Sequence, residues 1–566
     1  MLNRWECYTD RAQYVEEEKQ EVMIIIETDT DWNMSEDNIQ VKIYSLSKMM
    51  ERITNLSWDL SGSKRCARVK SSMQQVGGYG VEVCCGNTVM CSTAFDIVVD
   101  YKDNLRYGFL SRFTEEDIDE EDVLYANKLH INMLQFYDWM YRHDKLVPDK
   151  ERYQNPMGCD MSSKAIRRKI NACSKYGIRP YAYGAVYAAG KDFYEDHKDW
   201  AMYKLDKTPI MFADWLVYMN IASGTGWNSY IKNQFKEAIE QFGFLGIHMD
   251  TYGYPKSGWD QEGNIINLAE NFPLLINQTN EAVKEVNPKA GVIFNCVNNW
   301  PVDTVAGANQ DGVYIEVWPP NNTYRDLTLL IQKAQQLSGR QVILAAYMKP
   351  FAGISSEEEH KKAEHACLLA FAVIHAAGGH QLVFGEKGGI LCEGYYVNYT
   401  QMREEFLPVV RSYNDFIVRY SDLIYAKETM DISMTASDGI NEDITFSCEE
   451  TGIGFSSCGK ADRIWCMIKE WSHYIGISMI NLIGSDDQWN EKKSEIVIEI
   501  PNIKVRLLLE KEINGIYYST PDDLNCEIHP LEYCIDHSNN GRFIEVTVPS
   551  LKVWDYLWID CSEERE

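Results

Sequence analysis

The stretch Gly243 to Gly258, GFLGIHMDTYGYPKSG, constrains the fold most. It reads as a short apolar strand that ends on an acid, Asp250, and breaks at once into a loop marked by Gly253, Pro255 and Gly258. A carboxylate at the C-terminal end of a strand is where an α/β barrel keeps its chemistry. Side chains on a strand alternate faces, so His248 and Asp250 share one face and Ile247 and Met249 the other. The segment GVYIEVWP, Gly312 to Pro319, repeats the design, with Tyr314, Glu316 and Trp318 on one face and a break at Pro319 and Pro320. Two strands each deliver one acid.

Around these two segments, strands alternate with helices from about 106 to 427, which predicts a parallel sheet. Expected strands are Leu129 to Tyr141, Ile178 to Ala188, Leu216 to Ile221, the Asp250 strand, Gly291 to Asn298, the Glu316 strand, Gln341 to Lys349 and Gln381 to Glu386. Helices are expected at about 165–176, closed by Gly177, at 230–242, 274–286 and 325–337, and from Ser356 and Glu359, a capping-box pair, to about Ala377. Eight strands with intervening helices match a (β/α)8 TIM barrel. A doubly wound open sheet is the alternative, weakened because no glycine-rich phosphate loop follows any strand.

Residues 1–105 and 428–566 instead show short alternating runs between turn residues, such as YGVEVCC and FIEVTVP. The expected architecture is therefore an α/β barrel flanked by an N-terminal, immunoglobulin-like β-sandwich and a C-terminal antiparallel β-sandwich.

The chain carries 55 Lys and Arg against 84 Asp and Glu, a formal charge of −29. That charge repels phosphate backbones and anionic lipid, so neither nucleic acid nor a membrane surface is an expected partner. The N-terminal residues lack an apolar h-region, and the longest apolar run, Ala366 to Gly379, is interrupted by His375; a cytoplasmic protein is expected. The 16 cysteines show neither CxxC pairs nor Cys/His metal spacing, so no metal site is expected. Oligomeric state is not legible.

Two carboxylates on nearby barrel strands can flank one scissile bond. At about 5–5.5 Å one attacks the anomeric carbon while the other protonates the leaving oxygen; at about 6.5–9.5 Å a water fits between and the centre inverts. Apolar Ile315, Val317 and Trp318 around Glu316 suggest a raised pKa and the acid role, whereas Asp250 beside His248 suits an ionised nucleophile. A strand-end acid taken singly is more often a cap or a loop ion pair than a catalyst, and it is their occurrence as a pair in one barrel that favours catalysis. Asp138, in QFYDWMYRHD, is a third acid, with Trp139, Tyr141 and His143 close by; the alternative is a structural partner for Arg142 or Lys145. Tyr183 and Tyr252 join the candidate sugar contacts, with His248, Tyr314 and Trp318. Lys349 and Glu386, each at a strand end, either contact substrate or pair with each other across the barrel mouth.

The segments INMLQFYDWMYRHDKLVP, FGFLGIHMDTYG and DGVYIEVWP, in this order, resemble glycoside hydrolase family 66, the dextranases and cycloisomaltooligosaccharide glucanotransferases. The resemblance implies a retaining, endo-acting enzyme on α-1,6-linked glucan with no cofactor. It also implies Asp250 as nucleophile, Glu316 as acid/base, and Asp138 and Trp139 in a segment lining the subsite next to the cleaved bond. Secreted dextranases of the family carry export signals, which this sequence does not show, so short isomalto-oligosaccharides are the expected substrate. Cyclising members carry a carbohydrate-binding module after the seventh strand. Here Pro350 to Gly379 read as one loop and one helix, which disfavours cyclisation and leaves water and a sugar hydroxyl both open as acceptor. Transglycosylation on the same substrates, an α-glycosidase of other linkage, and a catalytically silent sugar-binding barrel are the alternatives.

Overall fold

The computed structural model describes residues 5–29, 38–538 and 541–562. At its centre, eight strands pair in parallel: β1 (Tyr107–Leu110), β2 (Met133–Phe136), β3 (Arg179–Ala185), β4 (Gly246–Asp250), β5 (Gly291–Val297), β6 (Val313–Glu316), β7 (Val342–Ala345) and β8 (His380–Gln381). A parallel bridge from Phe109 to Gly385 joins the last strand region to the first, so the sheet closes as a barrel. Interior positions are filled by large side chains, among them Tyr107, Tyr181, Ile293, Tyr314 and Ile343. The filling is tight: a Cβ on Gly246 would lie 2.3 Å from the Tyr181 ring.

Helices α1 (Glu121–Lys128), α2 (Ser163–Lys175), α3 (Gly226–Phe242), α4 (Leu268–Val286), α5 (Tyr324–Ser338) and α6 (Glu357–Ala376) connect successive strands, and α7 (Leu407–Arg419) follows β8. Their ends follow from sequence. Ser162, Thr225, Thr323 and Ser356 accept a backbone N–H at the helix N-terminus, and Gly243 and Gly339 take the left-handed conformation at the C-terminus. Gly177 is also left-handed, as expected after α2. At α6 the expected box is half formed. Ser356 caps the Glu359 N–H, but the Glu359 carboxylate turns to the Ser355 N–H and hydroxyl.

Two expectations about the strands need correction. Leu216–Tyr218 is not a barrel strand; it pairs antiparallel with Ala188–Gly190 and Met211–Phe212 in a small sheet formed by the connection after β3. Its run LVY is as apolar as a barrel strand, and local pattern does not reveal the pairing partner. The eighth barrel strand is instead β1, only four residues long, which falls where the chain crosses from alternating β to β/α pattern. The expected strand Leu129 to Tyr141 also shrinks to four residues, Met133–Phe136. Leu129 caps α1, and Tyr137 to Tyr141 belong to the loop at the barrel mouth.

On the N-terminal side, sheets of four and five strands face each other across a core that includes Ile24, Ile26, Val41, Val81 and Phe95. On the C-terminal side, sheets of seven and four strands enclose Ile468, Ile477, Val505, Val546 and Leu557. A buried bidentate ion pair, Arg106 to Asp96 at 2.9 and 2.8 Å, fixes the N-terminal sandwich to the first residue before β1. Removing one partner of such a pair costs about 3–5 kcal/mol. No helix among the described residues is long and apolar enough to cross a membrane.

Candidate active site

The C-terminal ends of the barrel strands surround a cavity of about 500 Å³. Asp250, the last residue of β4, and Glu316, the last of β6, both line it. Between them β5 contributes Asn295, whose register partner is Tyr314. The Asn295 amide donates to Asp250 Oδ1 at 2.7 Å and to Glu316 Oε2 at 3.2 Å. One nitrogen bonded to both keeps Asp250 Oδ1 and Glu316 Oε2 no more than about 6 Å apart. Each carboxylate has a further donor: Tyr183 to Asp250 Oδ2 at 2.7 Å, and Tyr347 to Glu316 Oε1 at 2.9 Å. Tyr347 in turn meets Tyr396, which also meets Tyr314 at 3.0 Å.

Burial dominates the electrostatics. It pushes the Asp250 carboxyl up to about 7, the negative charge of Glu316 adding to the effect and the bonds from Asn295 and Tyr183 opposing it. Burial also raises Glu316, against the donors Asn295, Tyr347 and Trp318. The expected contrast, a raised Glu316 beside an ordinary Asp250, is therefore corrected: both carboxyls are raised. Facing neighbours were invisible in a strand pattern that places His248 beside Asp250, and His248 supplies no charge. Burial drives its pKa to about 3, so the ring is neutral, with Nδ1 bonded to the Tyr107 hydroxyl at 3.0 Å.

Asp138 is the third acid of the cavity. Its backbone is left-handed, φ 50°, and its carbonyl accepts from Asn155 at 3.1 Å. The carboxylate makes no hydrogen bond among the described residues, and burial followed by the charge of Asp250 pushes its pKa up to about 7. The alternative of a structural ion pair is overturned, because Lys145 pairs with Asp149 and the Arg142 guanidinium lies over the Tyr141 ring. Among the described residues no Lys or Arg lines the cavity.

Of the expected sugar contacts, Asp138, His143, Tyr183, His248, Tyr252, Tyr314 and Trp318 line the cavity. Four do not. Trp139 is fully buried, its Nε1–H donating to the Tyr183 carbonyl and its ring packed on Phe242 and Phe244. Tyr141 lies beyond the wall, against Tyr153. Lys349 and Glu386 do not pair with each other. Lys349 reaches out to Glu491 at 4.0 Å, while buried Glu386 accepts from the Ser111 hydroxyl and from the N–H groups of Ser111 and Arg112. Lys349 lies past the end of β7, whereas Glu386 directly follows Gly385, the residue that bridges to β1, and turns to the backbone after β1 instead of the cavity.

Residues the sequence reading passed over include Asn295, Tyr347, Tyr396, Phe212 and Trp215. Asn295 had a signal, being a lone polar residue inside the apolar run GVIFNCV. Phe212 and Trp215 had none, since only the second arm of their hairpin was read, as the barrel strand Leu216 to Ile221, and they lie just before it. Among the described residues no cluster of three or more His, Cys, Asp or Glu is placed to hold a metal.

Comparison with known proteins bears on this site. The family model described as Glycosyl hydrolase family 66 matches residues 9–558. Two cycloisomaltooligosaccharide glucanotransferases of Niallia circulans are 22% identical, one over 85% of this chain and 64% of its own length, the other over 98% and 72%. A dextranase of Streptococcus salivarius is 23% identical over 59% of this chain and 46% of its own length. The chain thus spans less than two thirds of the first of these relatives and less than half of the dextranase. A crystal structure of a Paenibacillus sp. cycloisomaltooligosaccharide glucanotransferase complexed with cycloisomaltoheptaose superposes with a TM-score of 0.86 at 20% identity, covering 98% of this chain and 99% of that one. That similarity shows a shared fold.

Proposed function

The chain belongs to glycosyl hydrolase family 66, and from that membership and the geometry of the cavity we propose that it hydrolyses α-1,6-linked glucose chains, isomalto-oligosaccharides or dextran, with retention at the anomeric carbon. The observation that carries the reading is the single Asn295 amide bonded to both acids. A gap this narrow suits direct attack by a carboxylate and leaves little room for a water between the pair.

In the proposed course Asp250 attacks the anomeric carbon as Glu316 gives its proton to the departing glycosidic oxygen. The C–O bond to the leaving sugar breaks and a glycosyl ester forms on Asp250. Glu316, now ionised, then takes a proton from water, which attacks the same carbon and releases Asp250. Asn295 and Tyr183 hold the nucleophile's two oxygens in place, and Tyr347 orients Glu316. Among the described residues the cavity offers carboxylates, hydroxyls and aromatic faces and no Lys or Arg, which suits a neutral sugar.

A transglycosylase that passes the glycosyl group to a sugar hydroxyl would use the same residues, and the two glucanotransferases that align with most of the chain favour it as the second reading. The β7–β8 connection is built from one 3-10 turn and α6, and the cycloisomaltooligosaccharide glucanotransferase structure that superposes over 99% of its own length means that this connection does not separate hydrolysis from transfer.

Incubation with dextran and with isomalto-oligosaccharides of graded length, followed by chromatography and by proton NMR of the first-formed anomer, tests the proposal. Shorter linear products with the α configuration, lost in Asp250→Asn and Glu316→Gln, are expected. Cyclic or elongated products would replace hydrolysis by transfer. A β anomer as first product would refute retention, and no product from any α-1,6-glucan would refute the substrate class.

A further inference from the structure

Glu316 stands at the head of a loop that has few bonds of its own. After Val317 the loop runs through Trp318, Pro319 and Pro320, all exposed, and the two prolines bring no N–H to it. The Trp318 carbonyl accepts from the Asn321 N–H at 3.1 Å and from the Asn321 side chain at 3.3 Å, so whatever fixes Asn321 also fixes Trp318. One anchor is Asn298, just after β5, which accepts from the Asn321 side chain at 2.7 Å and donates to the Pro319 carbonyl at 2.9 Å.

The other anchor comes from the C-terminal sandwich. The connection between its strands Tyr474–Asn481 and Ile500–Leu508 crosses to the barrel and meets the same loop. There Trp489 donates its indole N–H to the Asn321 carbonyl at 2.8 Å and its backbone N–H to the Asn322 carbonyl at 3.1 Å. Its ring is buried in the hydrophobic core of the barrel and not in that of its own sandwich. The connection is tied down on either side of Trp489. The Tyr324 N–H donates to the Asp487 carbonyl at 2.9 Å, the Lys493 N–H to the Lys362 carbonyl at 3.2 Å, and the buried Lys493 ammonium pairs with Asp486. A buried indole N–H is costly to leave without an acceptor, so Trp489 holds the Asn321 carbonyl in one place.

Trp318 carries this placement to the acid. Its ring meets Tyr347 edge-on with centroids 5.9 Å apart, and the Tyr347 hydroxyl donates to Glu316 Oε1 at 2.9 Å. The Trp318 indole N–H also favours the ionised form of Glu316. Asp250, by contrast, is held from within the barrel, by Asn295 on β5 and Tyr183 on β3.

We propose that Trp489 is a positioning residue for Glu316, and that through Asn321 and Trp318 the C-terminal sandwich sets how the acid of the barrel is presented. The proposal rests on the acid/base role given to Glu316 above. It gives the sandwich a part in the reaction although, among the described residues, none of its own lines the cavity.

Trp489→Phe keeps a buried ring and removes the N–H that holds Asn321, and Asn321→Ala cuts the link to Trp318 from the barrel side. Each should lower kcat on isomaltotetraose about three- to tenfold with KM within about twofold. Each should also move the basic limb of kcat/KM against pH upward, because Glu316 loses a donor that favours its charge. Difference infrared titration, reading the protonated carboxyl band that disappears in Glu316→Gln, should show the same rise in midpoint without need of turnover. In a Trp318→Phe background neither substitution should add to that shift. Lys492→Ala, which removes only an exposed pair with Glu359 from the same connection, should leave both readings as in the wild type. A folded Trp489→Phe protein with unaltered limb and midpoint would overturn the proposal, as would a shift that persists in full beside Trp318→Phe. No turnover of α-1,6-glucan by the wild type would overturn the proposed function alone, and the infrared midpoint would then decide the positioning role by itself.

Discussion

Replacing Asp250 by Asn should abolish turnover and also stabilise the protein, and the second effect has a pH signature. The folded carboxyl is held at about 7, against an ordinary 3.8, by burial and then by the charge of Glu316. Between those values the folded state binds more protons than the unfolded chain, so this group makes stability fall as pH rises through the window. Its destabilising contribution is absent below the lower value and complete above the upper one. The gap corresponds to about 4 kcal/mol at full ionisation. Asn has nearly the size of Asp and carries no charge; it keeps an oxygen for the Tyr183 hydroxyl, and its NH2 then meets Asn295, whose amide must turn its own oxygen inward, which returns part of the gain. A further part is returned, because Asp138 is itself raised partly by the charge of Asp250 and ionises more readily without it. A net 2–3 kcal/mol at pH 8 is therefore expected, about 3–5 °C in Tm for a barrel of some 300 residues. Scanning calorimetry from pH 5.5 to 8.5 stays clear of the sequence pI of about 4.8, where solubility is poorest. The excess Tm of Asp250→Asn over the wild type should grow across that range. A variant no more stable than wild type at pH 8, or a gain that ignores pH, would refute the claim that the cavity holds this carboxylate against its solvation.

Asn295→Ala removes a donor shared by both acids, a bond worth about 1.5–3 kcal/mol to a charged group, so kcat should fall about 10- to 150-fold. With that donor gone the Asp250 carboxyl rises further, and the acid limb of kcat/KM against pH should move to higher pH. Tyr347→Phe deletes the hydroxyl that favours ionised Glu316, and the basic limb should shift upward with a smaller loss in kcat, read from the same profiles. At the barrel seam Glu386, raised by burial to about 7, holds the residues after β1 through three donors. Glu386→Gln should cost less than about 1 kcal/mol and Glu386→Ala about 2–4 kcal/mol in urea unfolding, because only the second leaves buried N–H groups unpaired.

The two principal acids were legible because each closes an apolar strand and is followed at once by turn residues, a pattern local in sequence. Their partners were not, because what places Asn295 between them is register. Asn295 lies opposite Tyr314, and Glu316 opposite Val297, only after the barrel has closed. The same limit explains the strand-end rule failing at Lys349 and Glu386. Strand β7 stops at Ala345, so Lys349 belongs to a connection that has left the mouth, whereas Glu386 directly follows the Gly385 bridge to β1 and turns to the N–H groups after that strand instead of the cavity. Electrostatics failed for a related reason. Alternation tells which face a residue takes, but depth depends on what stands opposite, and Asp250 faces Tyr183, Asn295 and Glu316 rather than water. Raised pKa values therefore mark this cavity without by themselves separating nucleophile from acid. The division of labour we propose rests instead on position: Glu316 has Trp318, 40% exposed, beside it at the open rim, which suits the proposed acid facing a departing sugar, while Asp250 lies deeper, over neutral His248, which suits the proposed nucleophile.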